Sequence, residues 1–242
     1  MKKSPLPVGN NHCKLIFLDQ VPIWEQLRLE EALFRADEGN YCLINQGSSP
    51  AVVLGLSAKV EEVLHQETVD IPVWRRFSGG GTVVIDEQTL FVTFIGNAKD
   101  FGVEPYPHDL FGWTAKFYQE ALQHPHFALR ENDYVMGEKK MGGNAQAFAR
   151  GRFVHHTSFL WDYHPDKMAL LKMPPKMPAY RERREHGHFL TKLREHFPSK
   201  EGFVSSVALQ WKREFGEEEV GFEECAAVLD KEHRKALVKI NL

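Results

Sequence analysis

The chain has 242 residues, of which 43% are hydrophobic and 26% charged, and 30 Lys and Arg against 33 Asp and Glu give a formal net charge of −3. This composition excludes a disordered chain, and the near balance of charge argues against a general nucleic-acid-binding protein. The longest apolar run, about seven residues from Leu90 to Gly96, is far short of the ~20 residues that cross a membrane, so we expect one large globular domain.

The first part of the chain predicts one helix among short strands. Pro22 and Gly39 bound this helix, and its apolar spacing buries one face while Glu30 and Glu31 are expected to stay in water. Strands are predicted at 14–18, 41–45, 51–56, 71–76, 82–86 and 90–95, with a short helix at 60–66.

The second part predicts a helix at 109–123, a β-rich segment at 134–163 and helices at 202–215 and 222–238. Strands and helices alternate, but the hairpins favour antiparallel pairing. We therefore expect an α+β fold, with helices packed on a mixed, largely antiparallel sheet. The whole chain, 1–242, is expected to be a single domain that ends in helices from about residue 180.

The sharpest local motif is RRFSGGGTVVID, from Arg75 to Asp86. Three glycines between β-type runs let the backbone turn and approach a ligand closely, and successive N–H groups can hold an anion. The two arginines at its start match phosphate or carboxylate oxygens, and Asp86 is expected to help hold Mg²⁺ or a ribose. The alternative is a glycine-rich hairpin flanked by surface arginines.

A second motif, Lys140 followed by MGGNAQ, lies in the β-rich segment. If it is extended, Lys140, Gly142, Asn144 and Gln146 share one polar face, and Lys139 points to the other. The Lys140 ammonium could neutralise a phosphate and polarise a carbonyl. A solvated hairpin lysine is the alternative.

A third motif is HHTSFL, which begins at His155. Strand alternation places His155 and His156 on opposite faces, so only one of them can face a pocket. The alternative is a purely structural role for both histidines.

In order, RRFSGGGTVVID, KMGGNAQ and HHTSFL resemble the catalytic domain of the lipoate–protein ligase family, within the biotin/lipoate ligase superfamily. The resemblance covers about residues 14 to 220. It implies the fold of that domain and a two-step reaction. ATP and lipoate, with Mg²⁺, first form lipoyl-AMP, and a lysine of an acyl-carrier domain then takes the lipoyl group. The implied partners are lipoyl domains of 2-oxoacid dehydrogenases or the glycine-cleavage H protein.

The resemblance also implies roles for individual residues. Arg76 matches the arginine that contacts the adenylate, and Lys140 matches the lysine that bridges phosphate and acyl carbonyl. His156 falls in the His-His pair with a supporting role. The candidate nucleotide-binding segment comprises Gly79, Gly80, Gly81, Thr82, Val83, Val84 and Asp86. From composition alone, Trp74, Phe77 or Phe91 is expected to line a slot for the acyl tail.

The sequence departs from the family pattern in several places. The family usually has His-Asp and then Gly-Asn after the glycines, and of these residues only Asp86 is present here. Thr157 stands where the family usually has a glycine after the His-His pair. We expect no accessory small domain after the catalytic domain. Three explanations stay open: the chain acts alone, a separate polypeptide supplies the accessory domain, or only the transfer step is retained.

Two other functions compete with the ligase. An octanoyl- or lipoyl-transferase would need a cysteine nucleophile near the lysine motif, and none is expected there. A degenerate, non-catalytic binding module is the other possibility.

Cysteine usage and the N-terminus bear on the compartment. The chain contains three widely spaced cysteines, Cys13, Cys42 and Cys225, which suit a reducing compartment. Lys2 and Lys3 are followed only by a short apolar patch, so we expect neither a secretory signal nor a transit peptide. We therefore expect a cytoplasmic protein with no nucleic-acid or membrane partner.

Overall fold

Helices pack on both faces of a mixed seven-stranded sheet, and two smaller sheets lie beside it. The computed structural model describes residues 13–242, so the predicted absence of a signal around Lys2 and Lys3 lies outside the described residues. The α+β class predicted from the sequence is confirmed. No helix in the described range is long and apolar enough to cross a membrane.

Seven helices occur in residues 13–242: α1 Ile23–Ala36, α2 Val60–Val63, α3 Pro107–Leu122, α4 Pro165–Met168, α5 His186–Phe189, α6 Lys200–Phe215 and α7 Phe222–Ala226. The strands are β1 Cys13–Leu18, β2 Asn40–Asn45, β3 Ala51–Leu54, β4 Val73–Arg75, β5 Gly79–Gly80, β6 Val83–Ile85, β7 Thr89–Asn97, β8 Phe127–Arg130, β9 Asp133–Met136, β10 Lys139–Lys140, β11 Gly142–Ala149, β12 Arg152–Leu160, β13 Glu219–Val220 and β14 Val238–Ile240.

The large sheet has the strand order β13-β1-β2-β7-β12-β11-β5. Its first two pairings are parallel and the other four are antiparallel. β7 and β12 are nine residues long and almost wholly buried, because helices cover both faces of the sheet. On one face, the ring of Phe94 lies 5.2 Å from Trp113 of α3 and 5.8 Å from Trp211 of α6. On the other, Leu33 of α1 packs with Val154.

The two smaller sheets have the orders β14-β4-β3-β6 and β10-β9-β8. In sequence, β5 lies between β4 and β6, and β11 follows β10 after a single residue. Both small sheets therefore join the large sheet at its β11–β5 edge, which brings the first two motifs together.

The helix predicted at 222–238 is wrong beyond α7. A 3₁₀ turn, Ala227–Asp230, follows α7, and β14 then pairs antiparallel with β4. The C-terminal region is therefore not helical throughout. Pairing with a distant strand overrides the local helical pattern.

The expectation that Glu30 and Glu31 stay in water is also wrong, because both side chains are buried. The Glu31 carboxylate accepts hydrogen bonds from Arg35 and from the backbone N–H groups of Ala236 and Leu237. A buried carboxylate is stable when such donors replace water. Glu31 thus anchors the chain just before β14.

We expect Glu31→Ala to destabilise the fold by about 2 kcal/mol, because two backbone N–H groups and Arg35 lose a charged acceptor. Urea unfolding at pH 7 measures this change in the free energy of unfolding. The matched control is Glu25→Ala in the first turn of α1, for which we expect a loss below about 1 kcal/mol. Equal losses in the two variants would contradict the anchoring role of Glu31.

Candidate functional site

A cavity of about 730 Å³ lies at the β11–β5 edge, where the three sheets meet. Nine of the ten sequence-predicted site residues line it: Arg76, Gly79, Gly80, Gly81, Thr82, Val83, Val84, Lys140 and His156. Residues far apart in sequence therefore share one concave space. Asp86 does not line the cavity.

The glycine segment is not the open turn that the sequence suggested. Gly79 and Gly80 form β5, which pairs antiparallel with Gln146 and Ala145 of β11. Gly80 has φ +118°, and a Cβ there would lie 2.4 Å from the Asn144 carbonyl oxygen. Only glycine fits at this position. Gly81 stays exposed at the cavity wall.

Arg76 holds the glycine segment in place through hydrogen bonds to backbone carbonyl groups. Its buried guanidinium donates to the carbonyl oxygens of Gly79 (3.2 Å), Gly81 (2.8 Å) and Val53 (3.3 Å). Burial lowers the pKa of Arg76 to about 10, partly offset by the Glu30 carboxylate, so the group stays protonated at neutral pH. The Nε atom is buried without a partner in the described chain.

Arg75 does not join Arg76 in the cavity. It donates instead to the carbonyl oxygens of Gly55, Leu56 and Ala58. The expectation that both arginines meet a ligand is therefore wrong for Arg75, whose role is to hold the loop after β3.

Lys140 presents a cation on the opposite wall of the cavity. Its Nζ lies 2.6 Å from Asp133 Oδ1, and the other oxygen of Asp133 accepts a hydrogen bond from the Tyr180 hydroxyl at 2.9 Å. Lys139 is exposed and points away, as the strand alternation predicted. The carbonyl of Lys140 accepts from Thr191 N–H, so the segment that contains α5 packs beside the lysine. Lys140 is therefore held in place by an acidic partner.

His156 lies at the other end of the cavity against a buried acid. Its Nδ1 lies 2.9 and 3.1 Å from the two oxygens of Glu30, which also accepts from Thr93 and Gln26. A carboxylate only accepts, so Nδ1 carries the ring proton. Sequence reasoning missed Glu30, although its spacing of seven from Ile23 places it on the apolar face of α1.

Apolar side chains surround His156 and make this end of the cavity hydrophobic. They include Ile23, Leu27 and Phe91, and the Phe91 ring lies 5.6 Å from the His156 ring. Of Trp74, Phe77 and Phe91, which were expected to line an acyl slot, only Phe91 lines the cavity. Trp74 stacks on Trp24 and Phe77 on Phe34, and neither lines the cavity.

His155 faces the opposite side of the sheet, as the alternation predicted. Its Nε2 lies 2.8 Å from the Tyr134 hydroxyl and its Nδ1 lies 2.9 Å from Gln146 Nε2. Burial lowers the pKa of His155 to about 3, and the nearby His156 adds to this. His155 is therefore a neutral hydrogen-bonding group in the core.

The expected role of Asp86 in holding Mg²⁺ or a ribose does not fit its position. Asp86 is buried outside the cavity lining, and its carboxylate pairs with Lys167 at 2.7 Å. In residues 13–242, one group of three side chains has metal-ligand spacing: Asp86, Glu87 and His164. Because the Lys167 ammonium already contacts its two acids, this group does not fit a magnesium ion that serves a nucleotide in the cavity.

The cysteines lie away from the cavity. Cys13, Cys42 and Cys225 are all buried, and none lines the cavity. Burial raises the pKa of the Cys42 thiol well above its usual value. A reaction through a cysteine thiolate therefore finds no nucleophile in this site.

Comparison with protein families identifies the family of this chain. The model described as the lipoyl protein ligase A/B catalytic domain matches residues 22–215. A protein of Plasmodium falciparum named inactive lipoate–protein ligase 2 is 30% identical, with 74% of this chain and 63% of that protein covered. The lipoate-protein ligase LplJ of Bacillus subtilis is 29% identical, with 61% of this chain and 46% of that protein covered. The chain thus spans about half to two thirds of the length of these curated relatives.

Solved structures show the same fold. A lipoate-protein ligase A bound with ATP superposes with a TM-score of 0.72 and 17% identity, covering 90% of this chain and 92% of that one. A bi-partite lipoate protein ligase from Thermoplasma acidophilum, described with its E2 lipoyl domain, gives a TM-score of 0.68 and 17% identity, covering 91% of each chain. At these identities the likeness shows the fold alone.

The depressed pKa of His155 predicts an acid-dependent loss of stability. The unfolded chain binds a proton below about pH 6.5, whereas the folded chain does not until about pH 3, so stability falls as the pH drops through this window. Between pH 7 and pH 5 we expect wild type to lose about 2 kcal/mol more than His155→Gln, which cannot titrate. Urea unfolding at both pH values measures the difference. Parallel losses would contradict a neutral, buried His155.

Proposed function

Because the chain belongs to the lipoyl protein ligase A/B catalytic-domain family, we propose that it attaches lipoate to a specific lysine of a lipoyl carrier domain in an ATP-dependent reaction through lipoyl-AMP. The proposed carriers are those of 2-oxoacid dehydrogenases or the glycine-cleavage H protein. The supporting similarities are a solved ligase bound with ATP, another from T. acidophilum with bound lipoic acid, and one described with an E2 lipoyl domain.

The observation that carries the proposal is the division of one cavity into a cationic part and an apolar part. Lys140 and the glycine segment over Arg76 form the first, and Leu27 and Phe91 belong to the second. Such a cavity suits a ligand with an anionic head and a long apolar tail. An acyl-adenylate of lipoate has this form.

The first half-reaction requires mainly positioning and charge neutralisation. The lipoate carboxylate attacks the α-phosphate, and a fixed ammonium can stabilise the charge that develops on the phosphoryl oxygens. Lys140 is the residue proposed for this role, and it must then exchange Asp133 for the ligand. Mg²⁺ would accompany the nucleotide when bound and would neutralise charge on its phosphates.

In the second half-reaction the acyl–phosphate anhydride must be kept from water until the carrier lysine arrives. The apolar wall around Phe91 and the segment that contains α5 enclose the cavity on two sides. Exclusion of water from such a site protects a hydrolysable intermediate. Residues 13–242 are proposed to perform this step as one catalytic domain.

A non-catalytic binding module is the second candidate, because a 30% identical relative is named inactive. A transferase that uses a cysteine is not favoured, since all three cysteines are buried away from the cavity. The two remaining candidates differ in one observable, the covalent modification of a carrier.

The decisive experiment incubates the protein with ATP, Mg²⁺, lipoate and an apo carrier, and weighs the carrier by mass spectrometry. A parallel sample receives lipoyl-AMP in place of ATP and lipoate. Modification in both samples supports the full ligase, and modification from lipoyl-AMP alone indicates that a separate polypeptide is needed for activation or that only transfer is retained. No modification in either sample would refute the catalytic proposal and favour a binding module.

Lys140→Ala should lower carrier modification at least ~100-fold, because the cavity loses the ammonium that is proposed to stabilise the phosphoryl oxygens. Lys139→Ala is the matched control, since its side chain is exposed on the other face of the same strand, and we expect it to retain wild-type rates. Circular dichroism and thermal unfolding verify that both variants are folded. Equal rates for the two variants would refute the assignment of Lys140.

A further inference from the structure

The cavity reaches both faces of the large sheet at the β5 edge. His156 and Phe91 line it from the α1 face, whereas Gln146 and Phe111 line it from the α3 face, where both contact His155. β5 is only two residues long, so it leaves the edge of β11 open beyond the pair. We call the part of the cavity that Gln146 and Phe111 line the α3-face arm. This arm has no role in the proposed binding of the acyl tail.

The hydrogen-bond directions in this arm are fixed from one side by Asn144. Its Nδ2 donates to the Asn132 carbonyl at 3.0 Å, so its Oδ1 is the atom that accepts from Thr157 at 2.9 Å. Thr157 has a single hydroxyl proton, which this bond uses. At His155 Nε2, 3.3 Å away, Thr157 can therefore only accept.

Helix α3 fixes the same direction from a second side. Thr114 donates its hydroxyl proton to the Leu110 carbonyl at 2.9 Å, so Tyr134 must donate to Thr114. The Tyr134 oxygen then accepts from His155 Nε2 at 2.8 Å. Both routes place the ring proton of His155 on Nε2.

The position of that proton decides how Gln146 is oriented. The fully buried, neutral His155 has a lone pair on Nδ1, which accepts from Gln146 Nε2 at 2.9 Å. The amide of Gln146 cannot be reversed without losing this bond. Its Oε1 is consequently a fixed acceptor on a cavity-lining side chain, and it receives no hydrogen bond from residues 13–242.

The cavity-lining acceptor in this arm favours a hydrogen-bond donor over a phosphate. The β8–β9 turn, tied to β11 by a side-chain hydrogen bond, contributes Glu131 and Asp133 to the cavity lining. However, Lys140 pairs with Asp133, and Arg181 also lines the cavity. The choice of ligand therefore depends on the acceptor itself. An amide oxygen has no proton to donate, so it suits an N–H donor such as an amine and opposes the bare oxygens of a phosphate.

We propose that Gln146 Oε1 receives a hydrogen bond from the ε-amino group of the incoming carrier lysine and aims its lone pair at the acyl carbon. This inference rests on the proposed function, and it assigns the α3-face arm to the acceptor lysine.

In the step itself, the lysine ammonium first loses a proton to water. The amine nitrogen then forms a bond to the acyl carbon, and the bond from that carbon to the phosphate oxygen breaks. AMP leaves with the electron pair, and the second proton leaves the nitrogen for water as the amide forms. Gln146 takes no proton, because an amide oxygen only orients the donor.

The test compares single-turnover transfer from preloaded lipoyl-AMP to an apo carrier in wild type, Gln146→Met and Gln146→Glu. Met removes the acceptor oxygen, so we expect the transfer rate to fall at least ~10-fold. This is the effect of losing one hydrogen bond to a group that becomes charged during the reaction. Glu keeps an acceptor oxygen in the cavity but loses the bond to His155 Nδ1 that orients it, so we expect a rate between those of the Met variant and wild type. Gln119→Met, on the exposed face of α3, is the control for the substitution itself, with the wild-type rate expected.

The three variants separate an acceptor role from a structural one. Glu cannot donate to His155 Nδ1, so a purely structural Gln146 would make Glu as damaging as Met. Equal rates in Met and Glu, or a Met variant as fast as wild type, would overturn the inference while leaving the ligase proposal intact. A wild-type chain that does not transfer from lipoyl-AMP would overturn both.

Discussion

The pairing of β5 with β11 is the constraint on which the candidate site depends. Two glycine residues form one strand of this pair, and the lysine motif runs into the other, so a two-residue ladder joins the two motifs. The close approach of Gly80 to the Asn144 carbonyl leaves no room for a side chain. Arg76 supports the pair from below by holding carbonyl groups on both sides of Gly80. The backbone geometry of the site is therefore fixed independently of any ligand.

Buried polar groups on the two faces of the sheet perform different tasks. On the α1 face, Glu30 binds His156 and places a polar pair at the apolar end of the cavity. On the α3 face, His155 is neutral and connects the core to Gln146. Adjacent residues of β12 thus belong to separate networks, because strand alternation sends their side chains to opposite sides. Each network ends at the same cavity, which lets two faces of one sheet contribute to a single site.

Sequence patterns predicted the fold class, the strand alternation at His155 and His156, and the nine residues that share the cavity, because these follow from local periodicity or from motifs. They did not predict the buried state of Glu31 or the strand β14. Both depend on partners that are distant in the chain, since Glu31 accepts from Ala236 and Leu237 and β14 pairs with β4. Asp86 was misplaced for a similar reason. Its partner, Lys167, comes from a helix whose proximity no local pattern encodes.

The ion pair between Lys140 and Asp133 has a consequence for selectivity. A bare ammonium in a concave site would attract any small anion in solution, including chloride and inorganic phosphate. Here a carboxylate already occupies that position, and the Tyr180 hydroxyl steadies it. An anion that binds Lys140 must therefore displace the Asp133 carboxylate. A monovalent ion that makes a single contact competes poorly with this carboxylate. A ligand that also buries a hydrocarbon chain can displace the Asp133 carboxylate from Lys140. Asp133 therefore keeps common small anions from binding at Lys140.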